Sequence, residues 1–304
     1  KVIAKQYKTI HHEILMMKED YVNNWDRLIG FKDAPLGVPN EIPLAVMSTK
    51  LKEKITVVLS GEGADELMGG YGKIFRSPYD YKNGNTKLSF YEYFINDYEY
   101  VSREMRDKFI TTSKKYREIF DYKIINEFSD KTNEENVFRF FHKYHVKGLL
   151  QRVDMTTMQT SVEARVPFLD HNLIEFAYSK IPYNLKLKWK SNESKLKAKN
   201  ISSTNYSEEL DTPKYLLRKI AYNHMPDHIV DRKKVGFPVP LTEWFDNLEE
   251  MANKLLPGAS WLKKDTLNSL IAMSKKEVRA GQVLWMFINI EVFRKKYFFQ
   301  EWEW

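Results

Sequence analysis

The sequence predicts an α/β chain with a parallel sheet, an α/β part over about residues 1–80 being followed by a mostly helical part over residues 81–304. Three observations carry that prediction. Ile55–Leu59 (ITVVL) is a short β-branched apolar run, which suits a strand buried on both faces of a parallel sheet. It breaks into Ser60-Gly61-Glu62-Gly63, and Ala64–Met68 then reads as the first turns of a helix. From Leu88 to about Lys147 the apolar residues recur at helical spacing.

Taken in order, Val2–Tyr7 reads as the tail of a helix and Thr9–Met16 (TIHHEILM) as a strand. His11 and His12 are adjacent on that strand, so their side chains point to opposite faces and do not make a metal pair. Asp20–Ile29 reads as helix, Asp33–Asn40 as a loop rich in proline and glycine, and Ile42-Pro43 leads a helix through about Lys50. Tyr79–Thr86 is polar and turn-rich, which predicts a surface loop. The aromatics Phe90, Tyr91, Tyr93, Phe94, Tyr98 and Tyr100 are assigned to the core and to packing between helices. Asn126–Asn136 is a charged connection.

Gly148 to about Met158 reads as helix, Val162–Val166 as an extended segment, Pro167 as a breaker, and Asp170 as the N-cap of an amphipathic helix to Lys180. Ser191–Lys199 is lysine-rich and solvated, and Thr212–Met225 reads as helix. In residues 231–240 (DRKKVGFPVP), the prolines and Gly236 exclude regular structure, so Arg232, Lys233 and Lys234 sit at a loop mouth. The rest reads as helices with an aromatic-rich end (Trp285, Phe287, Phe293, Tyr297–Phe299, Trp302, Trp304), assigned to packing.

Composition removes several function classes. At 43% hydrophobic and 14% aromatic, the 304 residues can build a substantial core, which argues against wholesale disorder. The net charge of +7 comes from dispersed residues with no long basic face or aromatic–basic array, so nucleic acid is not an expected partner. Without cysteine there is no disulfide, thiolate metal site or cysteine nucleophile, and a reducing compartment suits the chain. No apolar run approaches the roughly 20 residues of a membrane span, and no signal peptide is recognisable. The first residue is Lys1 rather than Met, so the chain is expected to be a piece of something longer.

The chemistry concentrates in Val57–Gly72 (VVLSGEGADELMGGYG). Two glycines let the backbone turn sharply and approach a ligand closely. A turn between a strand end and a helix start offers backbone N–H groups to an anion. Glu62, Asp65 and Glu66 crowd the same turn, and carboxylates beside a phosphate call for a bridging cation such as Mg²⁺. The same features also fit an ordinary α/β junction whose acids favour a helix N-terminus. A second informative stretch holds Asp154, Glu163 and Arg165 among apolar residues. A buried, mutually paired ionic network and a direct catalytic role both fit them.

The full string SGEGADELMGGY closely resembles the SGEGADELFGGY signature of the asparagine synthetase family, with Met68 where the family usually has Phe. Three further segments support the resemblance, which runs from about His11 to about Leu241. Ser161–Asp170 (SVEARVPFLD) matches a second signature, preceded by Met155 where the family often has Arg or Lys. Lys214-Tyr-Leu-Leu-Arg218 resembles its K-x-x-L-R, and the segment from Arg232 to Pro240 its R-x-K-x-G-F-P-x-P loop. Ala34 stands where the family's D-E-P segment has Glu.

The resemblance implies an adenine-nucleotide α-hydrolase-like fold, a parallel sheet incomplete at its N-terminus and followed by a helical region. It implies ATP and Mg²⁺ as cofactors and a small carboxylate, aspartate first, as substrate. The carboxylate is activated as an acyl-adenylate with release of pyrophosphate, and ammonia then attacks to give the amide. By the same carry-over, Ser60, Gly61 and Gly63 lie against the nucleotide, Asp65 holds Mg²⁺–pyrophosphate and Lys234 stabilises the phosphates. Glu62 helps position the acyl acceptor region, and Glu163 is a weaker amine-handling candidate. The family's S-G-G-x-D-S loop and its glutaminase domain are not found in these residues. Ammonia is therefore expected from an upstream portion or another chain, and this chain alone is expected to be inactive. A cytoplasmic location is expected, and homo-oligomerisation is left open. Other readings are a relative that amidates a sugar carboxylate or closes a β-lactam, and a non-catalytic partner subunit.

Overall fold

Two short strands, paired in parallel, position the signature turn. The structure is a computed structural model that describes residues 1–128, 131–234, 236–237, 239–244 and 248–299. The chain opens with α1 (Val2–Gln6), α2 (Lys18–Lys32) and α3 (Glu41–Lys52), reaches β1 (Val57–Leu59), and turns into α4 (Ala64–Met68). Next come α5 (Gly72–Phe75), α6 (Ser77–Asn83), α7 (Phe90–Tyr98), α8 (Arg103–Phe109), α9 (Ser113–Ile125) and α10 (Asn133–Phe140). A π-helical turn, Phe141–His145, runs straight into α11 (Val146–Met158), and β2 (Glu163–Arg165) follows. β1 and β2 pair in parallel, with Val57 opposite Glu163 and Leu59 opposite Arg165.

Three of these elements correct the sequence reading. Thr9–Met16 is not a strand: the segment finds no ladder partner among the described residues, and Ile10 and Leu15 are exposed at 86% and 84%. β1 has one hydrogen-bonded neighbour among the described residues and leaves Val57 and Leu59 exposed, so it is not buried on both faces. Residues 79–83 are helical rather than a loop. Pro78 sits in the first turn of α6, where its missing N–H costs nothing. Asp80 accepts from the Ser203 N–H and the Tyr206 hydroxyl, and the Tyr79 ring packs on Trp189 at 4.8 Å, so tertiary contacts override the turn-like composition.

Asp170 caps α12 (His171–Lys180) as expected, accepting from the Asn172 and Leu173 N–H groups. α13 (Tyr183–Lys186) leads to β3 (Leu187–Trp189), then α14 (Asn192–Lys197) and α15 (Ser203–Tyr206). β4 (Asp211–Pro213) pairs antiparallel with β3. The helix expected over 212–225 is shortened to α16 (Tyr215–Ala221), because residues 211–213 belong to β4 and Lys214 adopts a left-handed backbone at φ +52°. α17 (Asp227–Val230), α18 (Leu241–Trp244), α19 (Leu248–Leu255), α20 (Leu267–Ser274) and α21 (Val278–Arg294) complete the order.

One core packs α2, α3 and α19–α21, with Trp25 stacked on Trp285 and its indole N–H donated to Asn289 Oδ1 at 2.6 Å. A second is built from aromatics, Phe75, Phe90, Phe94, Phe138, Phe140 and Phe141 among them. Phe90, Tyr91 and Phe94 are buried, as assigned from sequence, whereas Tyr100 is exposed. Trp285 and Phe287 are buried, and Trp302 and Trp304 lie outside the described residues. The protein is thus a mostly helical α/β chain with a small parallel sheet. Among the described residues no helix is long and apolar enough to cross a membrane.

Candidate functional site

The signature turn leaves β1 at Ser60, whose N–H is donated to the Arg165 carbonyl at 2.8 Å. That bond fixes the start of the turn to the end of β2. Gly63 follows at φ +92°, and a Cβ there would stand 2.4 Å from Leu169 Cγ, so both backbone and space demand glycine. Gly61 is different: no atom lies within 4 Å of the place a Cβ would take, and the turn is open on that side. α4 is only five residues long. Its dipole is therefore a minor source of positive potential, and the charge at the site comes from side chains.

Asp65 accepts from two lysines on one oxygen. Lys234 Nζ stands 2.9 Å and Lys214 Nζ 3.1 Å from Asp65 Oδ1. Burial raises the Asp65 pKa, but the Lys214 and Lys234 charges outweigh it and hold the carboxyl below its usual range. Gly70 is the floor of this arrangement: a Cβ there would fall 1.6 Å from Asp65 Oδ1. Lys214 is aimed by its left-handed backbone at the start of α16. β4, just before it, is pinned by the buried Arg76–Asp211 ion pair at 2.7 Å. Lys234 comes from the basic loop, its N–H donated to Glu208 Oε2 at 3.2 Å and its ammonium 4.4 Å from the centre of the Tyr71 ring.

The other two carboxylates of the turn have their own partners. Glu62 Oε1 accepts from Arg152 Nη2 of α11 at 2.8 Å. Glu66, buried, accepts from the Tyr71 hydroxyl at 2.6 Å, and His145 Nε2 lies 3.7 Å from the same oxygen. Burial pushes Glu66 up from its ordinary value and drives His145 down to about 4, the latter helped by the Arg152 charge. Tyr98 holds His145 from the far side, hydroxyl to Nδ1 at 2.9 Å. The crowding of acids that called for a cation in the sequence is thus relieved by protein groups, one carboxylate at a time. Among the described residues no three His, Asp or Glu side chains gather to hold a metal by themselves.

The structure brings Asp65 and Lys234 into direct contact and keeps Ser60, Gly61, Glu62 and Gly63 on the adjoining turn. Glu163 is placed elsewhere. It pairs with Arg165 at 2.9 Å on the exposed face of β2, both more than half exposed. Of the two readings open for Asp154, Glu163 and Arg165, the structure removes the buried network: the strand period of two puts Glu163 and Arg165 on the solvent side, and Asp154 is exposed on α11. Val235 and Pro238 of the basic loop lie outside the described residues. Sequence reasoning missed Lys214, Arg152, Tyr71 and His145 as site residues, and it placed Glu66 with the cation-binding carboxylates rather than against Tyr71 and His145. Lys214 alone had a signal, in the resemblance of Lys214–Arg218 to K-x-x-L-R.

The asparagine synthase family model matches residues 1–302. Asparagine synthetase [glutamine-hydrolyzing] 1 of Bacillus subtilis is 30% identical over 75% of this chain and 38% of its own length. Asparagine synthetase [glutamine-hydrolyzing] 3 of the same organism is 23% identical over 84% and 39%. A putative asparagine synthetase [glutamine-hydrolyzing] of Mycobacterium tuberculosis is 25% identical over 77% and 37%. The chain therefore spans a little over a third of the length of these curated relatives.

Proposed function

Because the chain belongs to the asparagine synthase family, we propose that it forms the synthetase part of an ATP-dependent amide-forming ligase that converts aspartate to asparagine. The observation that carries this reading is the Lys214–Asp65–Lys234 cluster beside the open turn at Gly61. The proposed fold class is that of the adenine-nucleotide α-hydrolases. A nucleotide lies along Ser60, Gly61 and Gly63, where the space beside Gly61 admits it.

The substrate carboxylate attacks the α-phosphorus. The bond to the β-phosphate oxygen breaks and pyrophosphate leaves with its electron pair. Ammonia then attacks the acyl carbon, AMP departs and the nitrogen loses a proton. Lys234 and Lys214 balance the negative charge that builds on the phosphate oxygens. Asp65 holds both ammonium groups in place and supplies the single carboxylate for Mg²⁺, which when bound neutralises phosphate charge. Glu62, steadied by Arg152, faces the acyl acceptor region. Glu163 is assigned an amine-handling role from resemblance alone. Ammonia comes from glutamine hydrolysis on a portion of the protein beyond these residues, as the relatives' names indicate for them.

The test is carboxylate-dependent ATP–pyrophosphate exchange by the protein in its full natural length, with aspartate, sugar acids and β-amino acids as acceptors. Exchange with aspartate, and asparagine formed on adding ammonia, is the expected result. Exchange with another acid alone replaces the substrate, and exchange with none makes the chain a non-catalytic subunit.

A further inference from the structure

Behind Lys234 lies a cavity of about 350 Å³ whose lining includes Lys214, Arg218, Arg232, Lys233 and Lys234 against one carboxylate, Glu208. A second cavity, about 370 Å³, adjoins it through Glu208, Pro213, Arg218 and Lys233, and there Lys190 stands with the carboxylates Glu209, Asp211 and Asp231. The excess of positive charge belongs to the first cavity. Arg218 donates Nε to the Pro213 carbonyl at 3.2 Å and Nη1 to the Val230 carbonyl at 2.8 Å, which orient its guanidinium and leave its charge intact. Lys214 and Lys234 share the single charge of Asp65. Arg232 and Lys233 are exposed and make no ion pair among the described residues. The cavity behind Lys234 is therefore a concave, cationic recess that shares Lys214 and Lys234 with the Asp65 cluster.

We propose that Arg218, Arg232 and Lys233 form an outer station for a polyphosphate anion, which receives inorganic pyrophosphate as it moves away from Lys214 and Lys234. The volume accommodates a diphosphate with its hydration, and a planar guanidinium held by two carbonyls presents its remaining donors as a fork to phosphate oxygens. No covalent step occurs at this station. Its identification with the pyrophosphate product rests on the adenylation reading above, whereas its affinity for polyphosphate does not.

Calorimetric titration of inorganic pyrophosphate into the 304-residue chain tests it, with orthophosphate and sulfate as comparison anions. The wild-type chain is expected to bind pyrophosphate more tightly than either, less tightly as salt is raised. The double variant Arg232→Ala/Lys233→Ala, which alters exposed side chains only, is expected to bind it roughly tenfold more weakly through the loss of two charge-assisted contacts. No binding by the wild-type chain, equal affinity for sulfate, or an unchanged affinity in the double variant overturns the proposal. In the full-length protein, product inhibition by pyrophosphate should weaken in the same variant. If exchange proceeds and that inhibition is unchanged, the station falls and the adenylation reading stands. If the station binds as expected and no carboxylate supports exchange, the reading falls and a polyphosphate site remains.

Discussion

Lys234 Nζ lies 2.9 Å from Asp65 Oδ1 although 169 positions separate the two residues in sequence. Lys214 reaches the same oxygen, so one carboxylate sets the position of two ammonium groups. Removing any member changes the other two.

Replacing Lys234 with Ala in the full-length enzyme should lower turnover about 10²–10³-fold, roughly 3–4 kcal/mol, as for the loss of one transition-state donor. The Michaelis constant for ATP should move much less. Lys234→Arg should also be poor, since a forked guanidinium does not replace a compact ammonium. Lys199→Ala, an exposed lysine remote in sequence, is the control and should be near wild type. Near-normal turnover in Lys234→Ala would remove Lys234 from the chemistry.

Asp65→Asn should greatly reduce adenylate formation and alter the Mg²⁺ dependence. It should also destabilise the fold in a pH-dependent way. The Asp65 carboxyl is held below its ordinary range in the folded chain. Its contribution to stability is therefore present above the unfolded value near 4 and lost as pH falls through the folded one. Melting curves of the two proteins should differ most above about pH 4 and converge on acidification. A constant gap would mean that the lysines do not hold the carboxylate.

Gly70→Ala should reproduce the activity loss of Asp65→Asn without touching a charge. The new methyl would overlap Asp65 Oδ1 and stand 2.8 Å from Asp65 Cα, so the carboxylate must move. The strain should cost about 1–3 kcal/mol of stability. Gly61→Ala meets nothing within 4 Å and should leave the melting temperature close to wild type. If it also leaves ATP binding intact, the nucleotide does not lie against that turn.

Lys186 is buried with its ammonium 4.3 Å from the Phe138 ring centre and 4.9 Å from that of Tyr178, and burial lowers its pKa to about 8. Both folded and unfolded chains carry its charge at pH 7, where the cost of burying it is full. The cost fades as pH rises from about 8 toward the unfolded value near 10.4, because the folded chain loses its proton first. Lys186→Met should therefore raise the melting temperature at pH 7 by more than it does at pH 9.5. A benefit independent of pH would show that the aromatic rings fully offset the burial.

The strand, turn and helix of the signature were legible because each is local: a β-branched run, two glycines and an amphipathic start are written in consecutive residues. Asp170 was legible as a cap for the same reason. Lys234 was legible only through the resemblance of its loop. The segment of Lys214 also showed a resemblance, but its place beside Asp65 did not, because its left-handed backbone follows from β4, and β4 follows from pairing with β3 and from the Arg76–Asp211 pair. Arg152 and His145 were invisible because their roles arise where α11 and the π-helical turn pass beside residues 62–71. The misreading of 79–83 shows the converse, a turn-like composition drawn into a helix by Asp80 and Tyr79 contacts to distant residues.

The pairing of Val57 with Glu163 also dictates when the site can appear during synthesis. On a ribosome adding about 5–20 residues per second, roughly 5–20 s pass between the emergence of β1 and that of its partner strand. The nascent chain holds Ser60–Gly63 without a template for that interval, and Lys234 emerges later still. A truncated transcript that stops before residue 163 therefore yields every residue of the signature turn without the Ser60–Arg165 bond that fixes where it starts.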